Sequence, residues 1–174
     1  MSRFIVLLAA LAALAGTVTL LWSQAAEGDE ASYSTTRITK GYRDWRLVSV
    51  AREEGALDDI RAILGNDVAI AAYRQGNLPF PDGAIIARLA WSYEASEENN
   101  QVFGRRQSFV AGHPKNGVQL MIKDSRTYGS TGGWGFAHFD DGKPADDAVL
   151  ATCFTCHAAV KSRDSVFTRY APSR

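Results

Sequence analysis

Beyond residue 36, the apolar segments of this sequence are short, and this limits the folds that this part of the chain can adopt. Each covers only a few residues between glycine, proline or acidic turn residues, which suits a β-strand better than a long helix. Within 134–139, the alternation places Trp134, Phe136 and His138 on one face of a strand. The segments with strand character are 45–50, 60–64, 84–91, 107–111, 118–122 and 134–139.

Two further segments predict short helices. Asn66 or Asp67 can cap a helix that runs through Tyr73 and ends at Gly76. Residues 144–152 begin with proline, place acids in the first turn and continue with alanine, valine and leucine. The segments predicted as turns or loops are 79–83, 94–100, 112–114 and 129–133. Several short strands with a few short helices predict a single α+β domain with a mostly antiparallel sheet.

Composition excludes several classes of protein. The chain of 174 residues is short enough for one compact domain. Nineteen basic residues balance nineteen acidic ones, so the sequence lacks the basic excess of a nucleic-acid-binding protein. Two cysteines are too few for a scaffold held by several disulfides.

The N-terminal segment has the pattern of an export signal. Arg3 precedes an apolar run over 4–22, and small residues lead up to Ala25, which predicts a secretory signal peptide over 1–25. An uncleaved membrane anchor is the alternative, because the run approaches the length that spans a bilayer. Residues 26–36 are mostly small and polar and predict a flexible linker, which leaves 37–174 as the folded domain. Both alternatives place the domain outside the cytoplasm, and we expect a periplasmic location.

The motif that carries chemistry is Cys-Phe-Thr-Cys-His at 153–157. In c-type cytochromes, the two thiols of C-x-x-C-H add to the vinyl groups of haem, and the adjacent histidine binds the iron. The motif therefore predicts one covalently attached haem c, with Cys153 and Cys156 as attachment residues and His157 as proximal ligand. The predicted signal peptide supports this interpretation because such haem is attached outside the cytoplasm.

Three alternatives explain the motif less well. A thioredoxin-like pair belongs to a βαβ unit, whereas this motif follows a predicted helix near the C-terminus. A structural zinc site needs four ligands, and the chain has no second C-x-x-C or H-x-x-x-H pattern. A disulfide between Cys153 and Cys156 would leave His157 without a role.

The residues available as a sixth iron ligand are few. Met121 is the only methionine after the predicted cleavage site, and core filling is the common role of a methionine within a strand. His113 falls in the predicted turn at 112–114, where a histidine is usually exposed. His138 shares a strand face with two aromatic residues, so it points either at the haem or at the rim of the core. The sequence thus favours a five-coordinate haem with an open distal side.

Six short motifs together resemble the cytochrome P460 family, including its cytochrome c-prime-beta relatives, from about residue 37 to the end. They are GYRDW at 41–45, LGND at 64–67, PFPDG at 79–83, MIKDS at 121–125, GGWGF at 132–136 and CFTCH at 153–157. The resemblance implies an antiparallel sheet, one c-type haem near the C-terminus and an open distal pocket. The c-prime cytochromes also end in C-x-x-C-H, but they are four-helix bundles, and this chain lacks the long helical periods of that fold.

The resemblance also separates two functional alternatives, oxidation of hydroxylamine and binding of a diatomic gas. Members that oxidise hydroxylamine carry a lysine cross-linked to the porphyrin, matched here by Arg88, and a distal carboxylate, matched near Gly112. A guanidinium stays protonated and is a poor nucleophile, so no such cross-link is expected. Residues 109–116 contain no acid. The c-prime-beta relatives have an apolar distal pocket, often capped by phenylalanine, and bind nitric oxide or carbon monoxide. The residues available for such a cap are Phe80, Phe103, Phe109 and Phe136.

Arg88 is the only charged residue within 84–91. It either points outwards from a half-exposed strand or lies over the distal face of the haem. In the second position it could hydrogen-bond a bound anion or a haem propionate. Other residues that could pair with a propionate are Arg126, Arg163 and Arg169.

The sequence therefore predicts a periplasmic mono-haem c-type cytochrome whose open distal site binds a small diatomic ligand such as nitric oxide. One alternative is a haem oxidoreductase that oxidises hydroxylamine or a related nitrogen compound, and another is a simple electron-transfer cytochrome. The expected partners are the small ligand and a redox protein that the sequence does not identify, and nucleic acid is excluded. Membrane association is expected only if the N-terminal segment is retained, and the resemblance adds a homodimer as one expected assembly.

Overall fold

The computed structural model describes residues 38–171, and its centre is one antiparallel sheet of six strands. The strands are β1 (Arg46–Glu53), β2 (Asp59–Gly65), β3 (Ile85–Ala95), β4 (Phe109–Lys123), β5 (Trp134–Asp140) and β6 (Lys143–Pro144). The helices are α1 (Asp67–Gln75), α2 (Glu97–Phe103) and α3 (Asp147–His157), and 3-10 turns cover Tyr42–Asp44, Gly129–Thr131 and Ala158–Arg163. Each strand pairs with the next along the chain. The predicted α+β class with a mostly antiparallel sheet is confirmed.

The predicted signal peptide (1–25) and linker (26–36) lie outside the described residues. Within 38–171, none of the helices has both the length and the apolar character needed to cross a bilayer.

Alternation along the strands gives the sheet two buried faces. We call one the helix face, because its side chains pack with α1, α3 and the C-terminal segment. The buried strand residues of the helix face are Val48, Ile63, Ile86, Met121, Trp134 and Phe136. The opposite face carries Leu64, Ala87, Leu89, Leu120, Ala137 and Phe139, and aromatic side chains from the segment before β1 pack on it. The predicted alternation of 134–139 is thus confirmed, since Trp134 and Phe136 share the helix face.

The loop predicted at 94–100 is wrong. Strand β3 continues to Ala95, and α2 begins directly after Ser96, whose hydroxyl accepts a hydrogen bond from the amide of Asn99 (3.4 Å). Two glutamates then lie in the first turn of α2, where negative charge is favourable, and Gly104 ends the helix in the left-handed conformation. Helix capping here outweighed the polar composition on which the loop prediction rested.

The two strands predicted at 107–111 and 118–122 are parts of one strand, β4, so the turn predicted at 112–114 is also wrong. The pairing with β3 passes from Val118 opposite Leu89 to Pro114 opposite Trp91, so β4 carries extra residues at this point. Gly117 and its predecessor both have positive φ there, as in a β-bulge. Such an irregularity accommodates a proline within a sheet, because the regular hydrogen-bond ladder is already interrupted.

Helix α3 begins later and ends later than predicted from 144–152. Pro144 pairs with Phe139 in β6, and the carboxylate of Asp146 caps the helix by accepting from the amide of Val149 (2.9 Å). The helix continues through His157. The C-x-x-C-H motif therefore occupies the last turns of α3.

Asn66 joins α1 to the sheet, and its cap at the start of α1 is confirmed. Its side-chain oxygen accepts from the amides of Ala69 and Ile85 (both 3.0 Å), and its side-chain nitrogen donates to the carbonyl of Gly83 (2.8 Å). One side chain thus fixes the helix start, the turn before β3 and the first residue of β3.

We expect Asn66→Ala to lower the free energy of unfolding by about 2 kcal/mol, because it removes a helix cap and leaves the amide of Ile85 without this acceptor. Asn66→Asp keeps both acceptor bonds but loses the donor to Gly83, so it should lose less stability than Asn66→Ala. Urea denaturation of both variants measures the difference. Equal losses in the two variants would contradict this account.

Candidate haem site

The two motif cysteines lie on α3, and both thiols are free. Cys153 is half-buried against the core of the helix face, whereas Cys156 is exposed. Burial raises the pKa of the Cys153 thiol. Since no disulfide joins them, both sulfurs are available for thioether bonds.

His157 is held in one tautomer by the chain itself. Its Nδ1 lies 2.7 Å from the carbonyl oxygen of Ser165. A carbonyl oxygen only accepts, so Nδ1 carries the proton and the lone pair lies on Nε2. Burial lowers the pKa of His157 and so favours the neutral ring. A neutral imidazole with a free Nε2 and an anchored Nδ1 is the usual form of a metal-binding histidine.

Aromatic rings surround His157. The centroid of its ring lies 5.2 Å from that of Phe136 on β5 and 5.1 Å from that of Phe167 in the C-terminal segment. Phe136 also lies 6.4 Å from Phe154, which stands between the two cysteines in the sequence. Phe154, Ser165 and Phe167 are further residues of the site that the sequence does not predict, because no local pattern marks them.

The apolar surface beside the motif fits a bound haem. Helix α3 is rich in apolar residues, yet Leu150 is its only buried residue. Val149 is 41% exposed, and Phe167, which contacts the ring of His157, is 49% exposed. Covering such surface with a flat apolar macrocycle removes it from water, which is favourable. Two free thiols, an iron-binding nitrogen and uncovered apolar surface form a donor set suited to haem c.

The zinc alternative gains no support from the described part of the chain. Within residues 38–171, no three side chains of His, Cys, Asp or Glu type come together in a way that could hold a metal ion. Among these residues, Cys153, Cys156 and His157 are therefore without the further protein ligands that a structural zinc site needs.

Arg88 does not point outwards into solvent. It lies two residues after Ile86 along β3, so its side chain points to the same side of the sheet, the helix face. There the side chain is 15% exposed. Its guanidinium pairs with the fully buried Asp59 and donates to the side-chain oxygen of Gln119 (3.3 Å). Asp59 also pairs with Arg61 at 2.7 Å. Burial and the nearby Arg61 lower the pKa of Arg88, and Asp59 opposes them.

From Arg88, a line of polar side chains crosses the sheet towards the C-x-x-C-H motif. Arg88, Gln119 and His138 face one another on β3, β4 and β5. The neighbouring row, two residues along each strand, contains Phe136, which contacts His157. The row formed by Arg88, Gln119 and His138, which we call the polar row, therefore lies beside the C-x-x-C-H motif on the same face.

The candidate sixth ligands differ in position. Met121 is buried between Ile86 and Phe136 in the core of the helix face. His113 is exposed, on the part of β4 that extends beyond its pairing with β5. His138 is half-buried in the polar row, and its Nε2 is buried without a hydrogen-bond partner among the described residues.

The four phenylalanines named as candidates for a distal cap do not come together. Phe80 and Phe136 are buried in the helix-face core, whereas Phe103 and Phe109 are 56% and 37% exposed. Phe109 stacks on Tyr93 with ring centroids 4.5 Å apart. Phe136 instead lies beside His157, the predicted proximal ligand.

The region near Gly112 does contain a carboxylate, although 109–116 has no acid. Glu94, from the adjacent β3, places its carboxylate where a side chain at Gly112 would stand. The hydroxyl of Ser92 donates to this carboxylate (2.8 Å), and that hydrogen bond lowers the pKa of Glu94.

Among the arginines suggested for propionates, Arg163 contacts a residue of the site. Its guanidinium donates to the carbonyl of Phe167 (3.3 Å), whose ring contacts His157. Arg126 and Arg169 are exposed, and their pairing with a haem propionate stays a prediction.

Comparison with known proteins agrees with this arrangement. The family model for Cytochrome P460 matches residues 39–168, which include β1 to β6, the three helices and the C-x-x-C-H motif. A search of curated proteins found no match. The match covers most of the chain and includes every residue placed at the site, so the chain belongs to the cytochrome P460 family and is a haem-binding cytochrome.

Proposed function

We propose that this cytochrome is a periplasmic c-type protein with one haem, attached through Cys153 and Cys156, with His157 as proximal ligand. We further propose that its distal side is open and binds a small diatomic ligand, most readily nitric oxide. When bound, the haem supplies an iron centre that changes oxidation state and accepts such a ligand.

The observation that carries the proposal is the arrangement at the end of α3. Two free thiols stand beside a histidine whose Nδ1 is held by Ser165, so that its lone pair lies on Nε2. The hydrogen bond to Ser165 thus fixes the orientation of the imidazole. The uncovered apolar surface near Val149 and Phe167 provides the second half of the argument, because a haem would shield it.

The positions of the other candidate ligands support an open distal side. Met121 is enclosed by core residues of the helix face, as expected for a packing role. His113 is exposed on a part of β4 that is remote from the pairing with β5. Of the candidates, His138 alone combines burial with a free ring nitrogen on the helix face.

The periplasmic location rests on the sequence. The segment 1–25 has the pattern of a signal peptide, and haem of this type is attached outside the cytoplasm. Mass determination of the mature protein would test cleavage after Ala25, and a retained segment would favour the anchored form.

Absorption spectra and ligand titration test the open site. We expect high-spin bands in both the oxidised and the dithionite-reduced protein, and binding of nitric oxide to the reduced form. Met121→Leu keeps the core volume and should leave both spectra unchanged. Sharp low-spin α and β bands after reduction, without nitric oxide binding, would contradict the proposal.

Electron transfer is a second candidate function, favoured by the buried Nε2 of His138, which has no hydrogen-bond partner among the described residues. If His138 filled the sixth position, the wild-type protein would be low-spin, and His138→Gln would convert it to a high-spin form. A low-spin spectrum that survives both His138→Gln and Met121→Leu would exclude both residues.

Oxidation of hydroxylamine is a third candidate, and Glu94 is the observation that favours it. The resemblance implies a carboxylate near Gly112, and in the fold the carboxylate of Glu94 lies next to Gly112. Arg88 counts against a cross-link, because its guanidinium is occupied by Asp59 and Gln119. Hydroxylamine turnover that Glu94→Gln abolishes, together with a third protein–haem bond in a proteolytic digest, would establish this alternative.

A further inference from the structure

Two consecutive residues next to the proximal histidine adopt an unusual backbone conformation. Asp164 and Ser165 have φ values of 53° and 60°, although neither is glycine. The left-handed region is unfavourable for residues with a Cβ, so neighbouring contacts must hold this segment in place. The carbonyl of Ser165 is the group that accepts the hydrogen bond from Nδ1 of His157.

Those contacts converge on Asp164 from three separate segments. Its carboxylate accepts from Nζ of Lys123 (2.8 and 2.9 Å) and from the amide of Phe80 (2.8 Å). Its carbonyl accepts from Nε1 of Trp134 (2.8 Å). These donors belong to PFPDG at 79–83, MIKDS at 121–125 and GGWGF at 132–136, whose individual roles the haem-binding motif did not explain.

Lys123 is the charged partner in this group and is almost fully buried, with 3% of its side chain exposed. Its Nζ also donates to the carbonyl of Gly132 (2.9 Å) and lies 5.0 Å from the centre of the Trp134 ring. Burying an ammonium group is costly unless it is well paired. The lysine spans β4, the turn before β5 and the C-terminal segment, so it fixes Asp164 relative to the sheet.

We propose that Lys123 and Asp164 are positioning residues, whose ion pair aims the carbonyl of Ser165 at Nδ1 of His157 and thereby tunes the proximal ligand. This proposal rests on the proposed function, in which His157 binds the haem iron. A hydrogen bond accepted from Nδ1–H makes an imidazole a stronger electron donor through Nε2. A stronger donor stabilises the oxidised metal, so the ion pair holds the reduction potential of the cytochrome down.

Removal of the ammonium group tests the proposal. In purified holo-protein, Lys123→Met should raise the reduction potential and lower the Fe–His stretching frequency in resonance Raman spectra of the reduced form. Asparagine tolerates the left-handed backbone conformation, and its side-chain oxygen can still accept from the amide of Phe80. Asp164→Asn therefore keeps these features but weakens the pairing with Lys123. It should move both quantities in the same direction by a smaller amount. The haem should remain covalently attached in both variants.

A control variant separates positioning from general effects. Arg46→Met removes another cation and breaks an exposed pair with Asp67 (3.5 Å). It should shift neither the potential nor the stretching frequency. If Lys123→Met does not fold, Asp164→Asn decides the question, because it conserves shape.

The outcomes distinguish the two proposals. A folded, haem-loaded Lys123→Met or Asp164→Asn protein with wild-type potential and wild-type Fe–His frequency would overturn the positioning role and leave the proposed function intact. If His157→Ala leaves the spectrum and the potential of the holo-protein unchanged, His157 is not the iron ligand. Both proposals would then fail.

Discussion

Replacing both Cys153 and Cys156 by serine should abolish covalent haem attachment while the sheet still folds. Thioether bonds require the sulfurs, and serine matches cysteine in size without supplying that chemistry. Cys156 is exposed and Cys153 is half-buried, so neither substitution opens a large cavity in the core. Haem staining after denaturing electrophoresis should fall from a strong band to none, and intact mass should show the bare polypeptide.

The single substitutions and a neighbouring control sharpen this prediction. Each single serine variant keeps one thiol and should retain one thioether bond, with a changed absorption band. Thr155→Ser lies between the two cysteines, on the exposed side of α3, and should leave haem attachment at the wild-type level. A haem-stained band in the double variant would show that another residue holds the haem, and the assignment of haem c to this motif would be wrong.

Asp59→Ala should be among the most destabilising substitutions in the sheet. The carboxylate of Asp59 is fully buried and pairs with two guanidinium groups, those of Arg61 and Arg88. Without it, two arginines with side chains only 14% and 15% exposed lose the anion between them. Removing one partner of a buried pair costs about 3–5 kcal/mol, because the other charge stays buried without compensation. Urea denaturation of the holo-protein should show this loss.

A double-mutant cycle isolates the cause. Arg88→Met removes one buried charge and keeps much of the side-chain volume, so the Asp59→Ala, Arg88→Met double variant should be more stable than the sum of the two single effects predicts. Asp58→Asn is the matched control. It breaks a pair with Arg52 at 2.8 Å in which Asp58 is 63% exposed, and it should cost less than about 1 kcal/mol. Equal effects at the two neighbouring aspartates would refute the assignment of a special role to Asp59.

The elements that sequence analysis located correctly are those set by local chemistry. Alternation identified β1 and β5, a short apolar run identified β2, and Asn66 and Gly76 marked the two ends of α1. These signals act over a few residues, because they depend on side-chain period and on the hydrogen bonds at helix ends. The errors at α2 and β4 also have local causes. A polar composition concealed the Ser96 cap, and a glycine and a proline suggested a turn where the sheet accommodates extra residues.

The partners of the buried charged residues cannot be predicted from local sequence patterns. Arg88 was visible as the single charge within 84–91, but its partner Asp59 lies 29 residues away in the chain. The sequence left open whether that arginine faces solvent or the haem side. Strand register decides the matter, because pairing of β2 with β3 brings both side chains to the helix face.

The sequence alone determined that this protein has short antiparallel strands and, through residues 153–157, the pattern of covalent haem attachment. Both depend on spacing along the chain, which a sequence displays directly. Only the tertiary structure placed Ser165 at Nδ1 of His157 and joined Lys123 to Asp164, a pair separated by 41 residues. Such contacts form only when distant segments pack around a buried charge. Their stability depends on the whole folded core, so no local sequence pattern predicts them.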